Sequence, residues 1–429
     1  MGLFIGIDLG TSGCRAVAID EQRNIVGETS VALPAPQRRG AHIEQDPVLW
    51  WDAVCNCLEC LSKTIDVQQV VVLAVDGTSG TLLLTNAQGT PLASALMYND
   101  ARATAEAETL ARIAPANSAA HGPSCTLAKL MWLSQHEPAF AQTTHVCHQA
   151  DWIAAKLSGR FGISDFNNAL KLGFDAQQNK WPDWLTELDL PPRLFPKVVA
   201  PGTTIGHLAK DFTERFSLPE TTRVVAGTTD STASFLATGA NKVGEAVTAL
   251  GSTLVLKVIS EKPIFAPEYG VYSQPLVSNN KTHWLVGGAS NTGGNVLRQH
   301  FSLAQINAMT TQLKPDTPSG LNYYPLSNPG ERFPINDSRL AAKLEPRPND
   351  DVIFFQGMLE GIARIEAEGY RLLAELGAPY PVSIRTTGGG AKNTAWATIR
   401  KNLLGVEIES AQQTEAAFGV ALLAATSND

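Results

Sequence analysis

A short strand, a glycine-rich turn and a second strand occur twice in the sequence, and this repetition most constrains the fold. The first copy spans residues 3–20 and turns at Gly10-Thr11-Ser12-Gly13. The second copy spans residues 246–258 and turns at Gly251-Ser252-Thr253. A dinucleotide-binding fingerprint would need a helix directly after the glycine turn, so the returning strand excludes that fold. The repetition predicts two α/β lobes of related topology, each with a mixed β-sheet.

The two turns have the composition of phosphate-binding loops. Glycine lets the backbone approach a ligand closely, and backbone N–H groups and hydroxyls can donate hydrogen bonds to phosphate oxygens. Ordinary hairpin turns are the alternative interpretation. The sequence contains no Gly-x-x-x-x-Gly-Lys-Ser/Thr run, which excludes a P-loop. We therefore expect the nucleotide to contact Gly10, Thr11, Ser12, Gly13, Gly251, Ser252 and Thr253.

Two more glycine clusters lie in the second half of the chain. Residues 386–393 follow a predicted strand and precede a predicted helix with Trp396, Ile399, Leu403 and Leu404 on one side. The N-terminus of such a helix is a suitable seat for a nucleotide, because its free N–H groups and its dipole point outward. Residues 287–294 also end in a predicted helix, where a flexible cap is an equally good interpretation.

Length and composition limit the class of protein. A chain of 429 residues exceeds one ordinary core, which predicts two lobes with a cleft. The hydrophobic content of 44% and the charged content of 17% are typical of a globular enzyme. A net charge of −8 is unsuited to binding nucleic acid backbones. The first residues have no basic region before the apolar run, and Asp8 interrupts that run early, which predicts a cytoplasmic protein without a membrane segment.

Two aspartates are placed where phosphoryl transfer needs carboxylates. Asp8 ends the first strand just before the glycine turn, where it can hold Mg²⁺ through water or simply cap the turn. Asp230 follows a buried strand that breaks at Gly227, and it begins a helix of small residues. It can act as a plain helix cap or as a general base whose ionised form the helix dipole favours.

Several segments together resemble the FGGY carbohydrate kinases, the sugar-kinase branch of the actin-like and hexokinase-like ATPase folds. The resemblance covers nearly the whole chain. Gly6–Ser12 resembles the first phosphate motif, and the long run Ser124–His136 fits the first family signature throughout. The other segments that carry the resemblance are Asp151, Ser164–Ala169, Gly330–Pro334 and Gly388–Asn393.

The resemblance implies a two-lobed, ribonuclease H-like α/β fold with a duplicated mixed β-sheet domain and a cleft between the lobes. The N-terminal lobe would comprise residues 1–237 and bind the sugar, and the C-terminal lobe would comprise residues 238–410 and bind the nucleotide. The lobe boundary would fall near residues 235–242. A final helix at about 411–429 would pack back on the first lobe.

Residue roles are also implied by the resemblance. Asp230 would be the catalytic base, with Asp8 and Thr11 acting at the metal and the phosphates. Both aspartates would hold Mg²⁺ through water and, with Ser12 and Ser79, would contact the sugar. The nucleotide would also contact Gly288, Gly389, Gly390, Asn393 and Trp396.

The substrate implied is a ketose. The segments Asp76–Gly80, Gly227–Ser231 and Gly287–Asn291, together with the chain length, resemble the short xylulokinase-like D-ribulose kinases of plants and cyanobacteria. The expected ligands are ATP, Mg²⁺ and D-ribulose, bound by a monomer or homodimer. Tyr98 departs from the family pattern, in which many members carry Trp, and the part after Gly357–Ile362 does not follow the pattern.

Three other functions fit parts of the same sequence. A D-xylulose or glycerol kinase would share every phosphate motif and differ only in sugar contacts. An actin-like or heat-shock-chaperone-like ATP-binding protein would use the cleft to move a partner, and we would expect such a protein to carry a peptide-binding domain after residue 429. A catalytically silent sugar sensor would not need both Asp8 and Asp230.

Overall fold

The computed structural model describes residues 2–278 and 281–427 as an alternation of strands and helices. In chain order the strands are β1 (Leu3–Leu9), β2 (Gly13–Ile19), β3 (Ile25–Ala32), β4 (Gln37–Arg39), β5 (His42–Gln45), β6 (Val70–Gly77), β7 (Leu82–Thr85), β8 (Ala95–Leu96), β9 (His145–His148), β10 (Ile163–Asp165), β11 (Lys197–Val199), β12 (Thr204–His207), β13 (Arg223–Val225), β14 (Thr228–Thr229), β15 (Glu245–Leu250), β16 (Leu254–Ser260), β17 (Tyr272–Ser278), β18 (Lys281–Ser290), β19 (Ser383–Thr387) and β20 (Glu407–Ser410). The helices are α1 (Pro47–Leu61), α2 (Thr104–Ile113), α3 (Thr126–His136), α4 (Gln149–Ser158), α5 (Phe166–Ala169), α6 (Lys210–Phe216), α7 (Asp230–Ala237), α8 (Gly294–His300), α9 (Leu303–Thr310), α10 (Asp351–Glu375), α11 (Thr394–Leu404) and α12 (Ala416–Thr426). None of these described helices is both long and apolar enough to cross a membrane.

The chain folds into two units. The first consists of the residues up to Ala237 together with those from Glu415 onward, and the second is Thr238–Thr414. The second unit is therefore inserted into the sequence of the first.

The main sheet of the first unit has the order β12-β13-β6-β1-β2-β3, and β14 also pairs with β6. Strand β1 runs antiparallel to β2 and parallel to β6. Both faces of β1 are covered. Ile5, Ile7 and Leu9 join a core with α1, while Phe4 joins a core with α12. Burial on both faces explains why β1 is a nearly continuous apolar run.

Helix α12 lies very close to this sheet and to α7. A Cβ at Gly6 would collide with the backbone of Ala417 and Ala421, and a Cβ at Gly419 would collide with the carbonyl of Ala233. The small side chains predicted in this final helix are therefore required for close packing.

The sheet of the second unit repeats the arrangement of the first. Its order is β17-β18-β16-β15-β19-β20, with β15 antiparallel to β16 and parallel to β19. Strand β15 thus pairs in the same pattern as β1, with the next strand in sequence antiparallel on one side and a later strand parallel on the other. The predicted α/β fold with a duplicated mixed sheet is confirmed.

The glycine cluster 287–294 contains the end of a strand and a helix cap. Residues 287–290 belong to β18, and Gly293 is the N-cap of α8, which begins at Gly294 as expected. One local prediction in the second unit is wrong. Leu403 is 41% exposed, whereas Trp396, Ile399 and Leu404 are buried. The buried side of α11 is therefore narrower than the sequence pattern indicated.

A buried ion pair joins four elements of the second unit. The guanidinium of Arg400 on α11 donates to both oxygens of Glu366 on α10, at 2.6 and 2.7 Å, and to the hydroxyl of Thr386 on β19 at 2.7 Å. Thr248 on β15 donates to Glu366 at 2.6 Å and contacts the hydroxyl of Tyr370 at 2.9 Å. This network fixes β15 and β19 against α10 and α11.

Candidate active site

Two aspartates lie side by side at the ends of adjacent parallel strands in the first unit. Asp8 on β1 and Asp76 on β6 are direct neighbours in the ladder. Asp76 is fully buried, and neither of its oxygens has a hydrogen-bond donor among the described residues. Burial, followed by the charge of Asp8, raises the pKa of Asp76 well above its usual value. Burial and the charge of Asp8 therefore both favour the protonated form of Asp76.

The neighbouring Asp8 is half-buried. Burial raises its pKa, the hydrogen bond from Asp76 lowers it, and the negative charge of Asp230 raises it further. The sequence analysis identified Asp8 as a site residue but did not identify Asp76. Asp76 follows the apolar run 70–75, and an acidic residue at the end of an apolar run is the same pattern that identified Asp8.

Asp230 is brought to the same end of the sheet by β14. This short strand pairs with the last residues of β6, Asp76 and Gly77, and Asp230 follows as the first residue of α7. The Asp230 carboxylate accepts the backbone N–H of Ser231 at 2.6 Å. In α/β sheets, ligands bind at the carboxyl ends of the parallel strands, which is where these three aspartates lie.

The segment after β6 is held by side chains from elsewhere in the same unit. The backbone N–H and the hydroxyl of Thr78 both donate to the Gln149 side-chain oxygen, at 3.0 and 2.8 Å. The ammonium of Lys171 donates to the carbonyl of Ser79 at 3.3 Å. Ser79 is half-buried, so its side chain remains accessible from solvent.

Lys171 is a second site residue that the sequence analysis missed. Burial lowers its pKa, and the charge of Asp230 opposes this effect, so a cation lies near the candidate base. The sequence pattern that could have identified it is a single lysine within the otherwise apolar run 169–174.

The first glycine turn has the predicted form. The N–H of Gly10 donates to the carbonyl of Gly13 at 3.0 Å, and β2 begins at once. Thr11 is half-buried and Ser12 is exposed, so both hydroxyls can reach a ligand. The turn joins β1 to β2 immediately after Asp8.

In the second unit, three glycine segments meet at the ends of β15, β18 and β19. The N–H of Gly294 donates to the carbonyl of Gly251 at 2.8 Å. Gly388 has φ +80, and a Cβ there would lie 2.6 Å from the carbonyl of Leu250. Ser252, Thr253 and Gly389 are exposed, and Gly390 is half-buried. These loops form a surface of backbone groups and hydroxyls suited to phosphate.

Other predicted nucleotide residues occupy supporting positions. The Asn393 side-chain oxygen accepts the Trp396 N–H at 2.9 Å and so begins α11. Trp396 is 3% exposed, and its indole donates to the carbonyl of Leu359 at 3.1 Å. Gly288 lies within β18 against the ring of Phe333, where a Cβ would be only 2.5 Å away. Packing explains Trp396 and Gly288, and their contact with a nucleotide stays a prediction.

The carboxylates suit a hydrated cation better than a directly bound one. Among the described residues, no group of three or more His, Cys, Asp or Glu side chains could hold a metal ion. Asp8 and Asp230 nevertheless place negative charge at one end of the sheet. Mg²⁺ usually keeps several waters and takes only one or two carboxylates, so the site fits Mg²⁺ held through water.

Comparison with known sequences gives matches over both halves of the chain. Residues 3–237 match the N-terminal domain, and residues 246–427 the C-terminal domain, of the FGGY family of carbohydrate kinases. The chain is 26% identical to the xylulose kinase of Escherichia coli strain K12 over 421 residues, covering 95% of this chain and 86% of that protein. It is 24% identical to the xylulose kinase of Staphylococcus xylosus, covering 99% of this chain and 91% of that protein.

Solved structures agree with this fold. A kinase from Brucella ovis, described as a xyloylose kinase, has a TM-score of 0.88 at 26% identity, covering 100% of this chain and 91% of that chain. Plasmodium falciparum glycerol kinase with ADP has a TM-score of 0.88 at 17% identity, covering 100% and 90%, and shows the fold alone. The two domain matches together span almost the whole sequence, and on that ground the chain belongs to the FGGY family of carbohydrate kinases.

Proposed function

We propose that this carbohydrate kinase transfers the γ-phosphate of ATP to the terminal hydroxyl of D-ribulose, giving D-ribulose 5-phosphate and ADP. The observation that carries the proposal is the cluster of Asp8, Asp76 and Asp230 at one end of the first unit's sheet, with Ser79 and Lys171 beside it. Phosphoryl transfer to an alcohol needs a carboxylate, an accessible acceptor site and stabilisation of phosphate charge. We propose that the reaction takes place in the cytoplasm.

Asp230 acts as the general base. The sugar hydroxyl oxygen forms a bond to the γ-phosphorus, its proton passes to the Asp230 carboxylate, and the bond to the ADP oxygen breaks. Asp230 is the first residue of α7, where the helix dipole favours a negative charge, and it interacts with the ammonium of Lys171. The raised pKa of Asp76 favours its neutral form, which would limit the negative charge beside Asp8.

Mg²⁺ would be held through water by Asp8 and Asp230, and when bound it would neutralise phosphate charge. Thr11 and Ser12 would donate hydrogen bonds to the phosphates, and Ser12 would also reach the sugar.

The second unit supplies the nucleotide contacts in this proposal. The exposed Ser252 and Thr253 and the backbone at Gly389 and Gly390 offer donors for ATP. Asn393 fixes the start of α11 behind those glycines.

D-Xylulose is the second candidate acceptor, because several relatives are named xylulose kinases. D-Ribulose is preferred because of the segments Asp76–Gly80 and Gly227–Ser231, which resemble the short D-ribulose kinases. With ATP and Mg²⁺ held constant, we expect kcat/KM to be highest for D-ribulose, lower for D-xylulose and near background for aldohexoses. A higher kcat/KM for D-xylulose or glycerol would refute D-ribulose as the substrate, but the assignment as a carbohydrate kinase would stand.

The role of Asp230 is tested by Asp230→Asn. As a helix cap, Asn is nearly equivalent to Asp, so a capping role predicts a stability change below about 1 kcal/mol and retained activity. As a base, Asn keeps the shape but not the basicity, so we expect turnover to fall by roughly 10²–10⁴ while ATP still binds.

Asp350→Asn is the matched control. Asp350 caps α10 by accepting the N–H of Val352 at 2.8 Å, and we expect near wild-type turnover from this variant. A folded Asp230→Asn protein with a near wild-type rate would show that Asp230 is not the base.

A further inference from the structure

Lys129 on α3 is a buried lysine whose ammonium connects two distant segments of the first unit. Its side chain has no exposed surface. It donates to the carbonyl of Gly80 at 2.9 Å and to the carbonyl of Met97 at 2.6 Å. These carbonyls belong to different segments, one after β6 and the other after β8.

The first of these segments carries Ser79. On one side of it, Thr78 is fixed by Gln149, and on the other, Gly80 is fixed by Lys129. The Ser79 carbonyl itself accepts from Lys171. The backbone of the proposed sugar-contacting serine is therefore held at three consecutive residues.

The second segment carries Tyr98 and Asn99. Met97 before them is fixed by Lys129, and Asp100 after them accepts the backbone N–H of Ile43 at 2.6 Å. Tyr98 is 41% exposed, whereas Asn99 is half-buried. The Asn99 side-chain oxygen is buried and has no hydrogen-bond partner among the described residues, so a polar acceptor is held ready within an anchored segment.

Holding these segments with an ammonium has an energetic cost. Burial lowers the pKa of Lys129 to about 7, and the nearby Asp100 only partly opposes this effect. An apolar side chain could fill the same space without desolvating a charge. The two short bonds to carbonyls fix backbone positions in a way that an apolar side chain cannot.

We propose that Lys129 is a positioning residue that fixes the Ser79 segment and the Tyr98–Asn99 segment relative to each other, and that this spacing sets the affinity and selectivity for the sugar. The proposal rests on the proposed function, since it takes Ser79 as a sugar contact. Lys129 acts through the two segments and does not itself touch the sugar.

The test is Lys129→Met, which keeps an unbranched side chain but removes the donors. We expect KM for the sugar to rise at least about tenfold, because the two segments can move independently. We expect KM for ATP to stay within about twofold. The ratio of kcat/KM between the best and second-best sugar should fall at least about threefold.

Leu130→Ala is the matched control. Leu130 is the next residue on α3, is fully buried and lies in an apolar core. Its truncation removes apolar packing but none of the hydrogen bonds that hold Gly80 and Met97, so we expect a lower melting temperature with a wild-type sugar KM and a wild-type selectivity ratio from the folded protein.

Lys129→Gln provides a second variant, since its shorter amide can still donate to one carbonyl. An intermediate sugar KM for this variant supports the proposal. A wild-type sugar KM and ratio in Lys129→Met, with only a lower melting temperature, would overturn it. Insolubility of both variants would also overturn it, because Lys129 would then serve folding alone.

The wild type is first assayed on a panel of ketoses and polyols, and the variants are compared on its best acceptor. Rejection of D-ribulose by the wild type refutes the proposed substrate. In that case the role of Lys129 is still decided on the best acceptor, by whether the variants raise KM for the sugar without raising KM for ATP.

Discussion

Replacing Arg400 by Met should destabilise the second unit strongly. The substitution removes three hydrogen bonds of 2.6–2.7 Å, two to Glu366 and one to Thr386. It leaves the fully buried Glu366 carboxylate with the hydroxyl of Thr248 but without its cation. Breaking a buried pair from one side costs about 3–5 kcal/mol, since an uncompensated charge remains. We expect a loss in that range.

Lys401→Met is the control, because Lys401 follows Arg400 on the same helix. Its ion pair with Glu407 spans 2.7 Å, but the two side chains are 50% and 68% exposed. Exposed pairs contribute about 0–1 kcal/mol, so this variant should be nearly as stable as the wild type. A double variant, Glu366→Gln with Arg400→Met, removes both charges and should recover part of the loss.

Urea unfolding followed by circular dichroism measures these free energies, and calorimetry separates the transitions if the two units unfold independently. Strands β15 and β19 lead into Gly251 and Gly388, so KM for ATP should also rise in Arg400→Met. Loss of less than about 1 kcal/mol, equal to that of Lys401→Met, would refute the reasoning.

Two further variants test other parts of the first unit. Burial and the charge of Asp151 raise the pKa of Asp165 from 3.8 to about 7, so the contribution of Asp165 to stability is present below pH 4 and is lost as the pH rises through 7. Asp165→Asn should remove this loss, because the unpaired side-chain oxygen of Asn168 can accept a hydrogen bond from the new amide. The unfolding free energy of the variant should exceed that of the wild type by an amount that grows between pH 4 and 7, to at most about 4 kcal/mol. A constant difference in unfolding free energy across that range would contradict the assignment. Gly419→Ala forces a methyl group against the carbonyl of Ala233, so we expect the free energy of unfolding to fall by several kcal/mol or the protein to be insoluble. Thermal unfolding measures this effect, and an unchanged melting temperature would contradict the close packing.

The sequence was most informative where function depends on local chain order. The repeated strand–turn–strand units predicted the sheets because glycine turns and apolar runs are local signals. Asp8 and Asp230 were identified because each stands where a strand ends. Asp76 also stands near the end of a strand, so its local signal was present but was not used. The contact between Lys171 and Ser79 has no local signal, because the two residues lie far apart in the sequence and meet only in the folded unit.

Periodicity gave a less accurate result on α11. It grouped Trp396 and Leu403 on one side, whereas Trp396 is buried beneath Gly390 and Leu403 faces solvent. The family resemblance implied that Trp396 lines the nucleotide pocket. Its indole donates to the carbonyl of Leu359 on α10, and the contact with a nucleotide stays a prediction. Which side of an amphipathic helix is covered depends on its neighbours, and those come from distant parts of the chain.

The position of α12 in the sequence affects how the chain folds as it leaves the ribosome. Helix α12 covers one apolar side of β1 and β6. The ribosome synthesises these strands early, but it synthesises α12 only after the whole of residues 238–414. Domains generally fold as units, the N-terminal one first during synthesis. Here the second unit can complete its core first, while Phe4, Val72 and Ala74 stay uncovered. A nascent chain of this kind exposes an unfinished sheet for many seconds, and a fragment that stops at residue 237 should bind chaperones or aggregate.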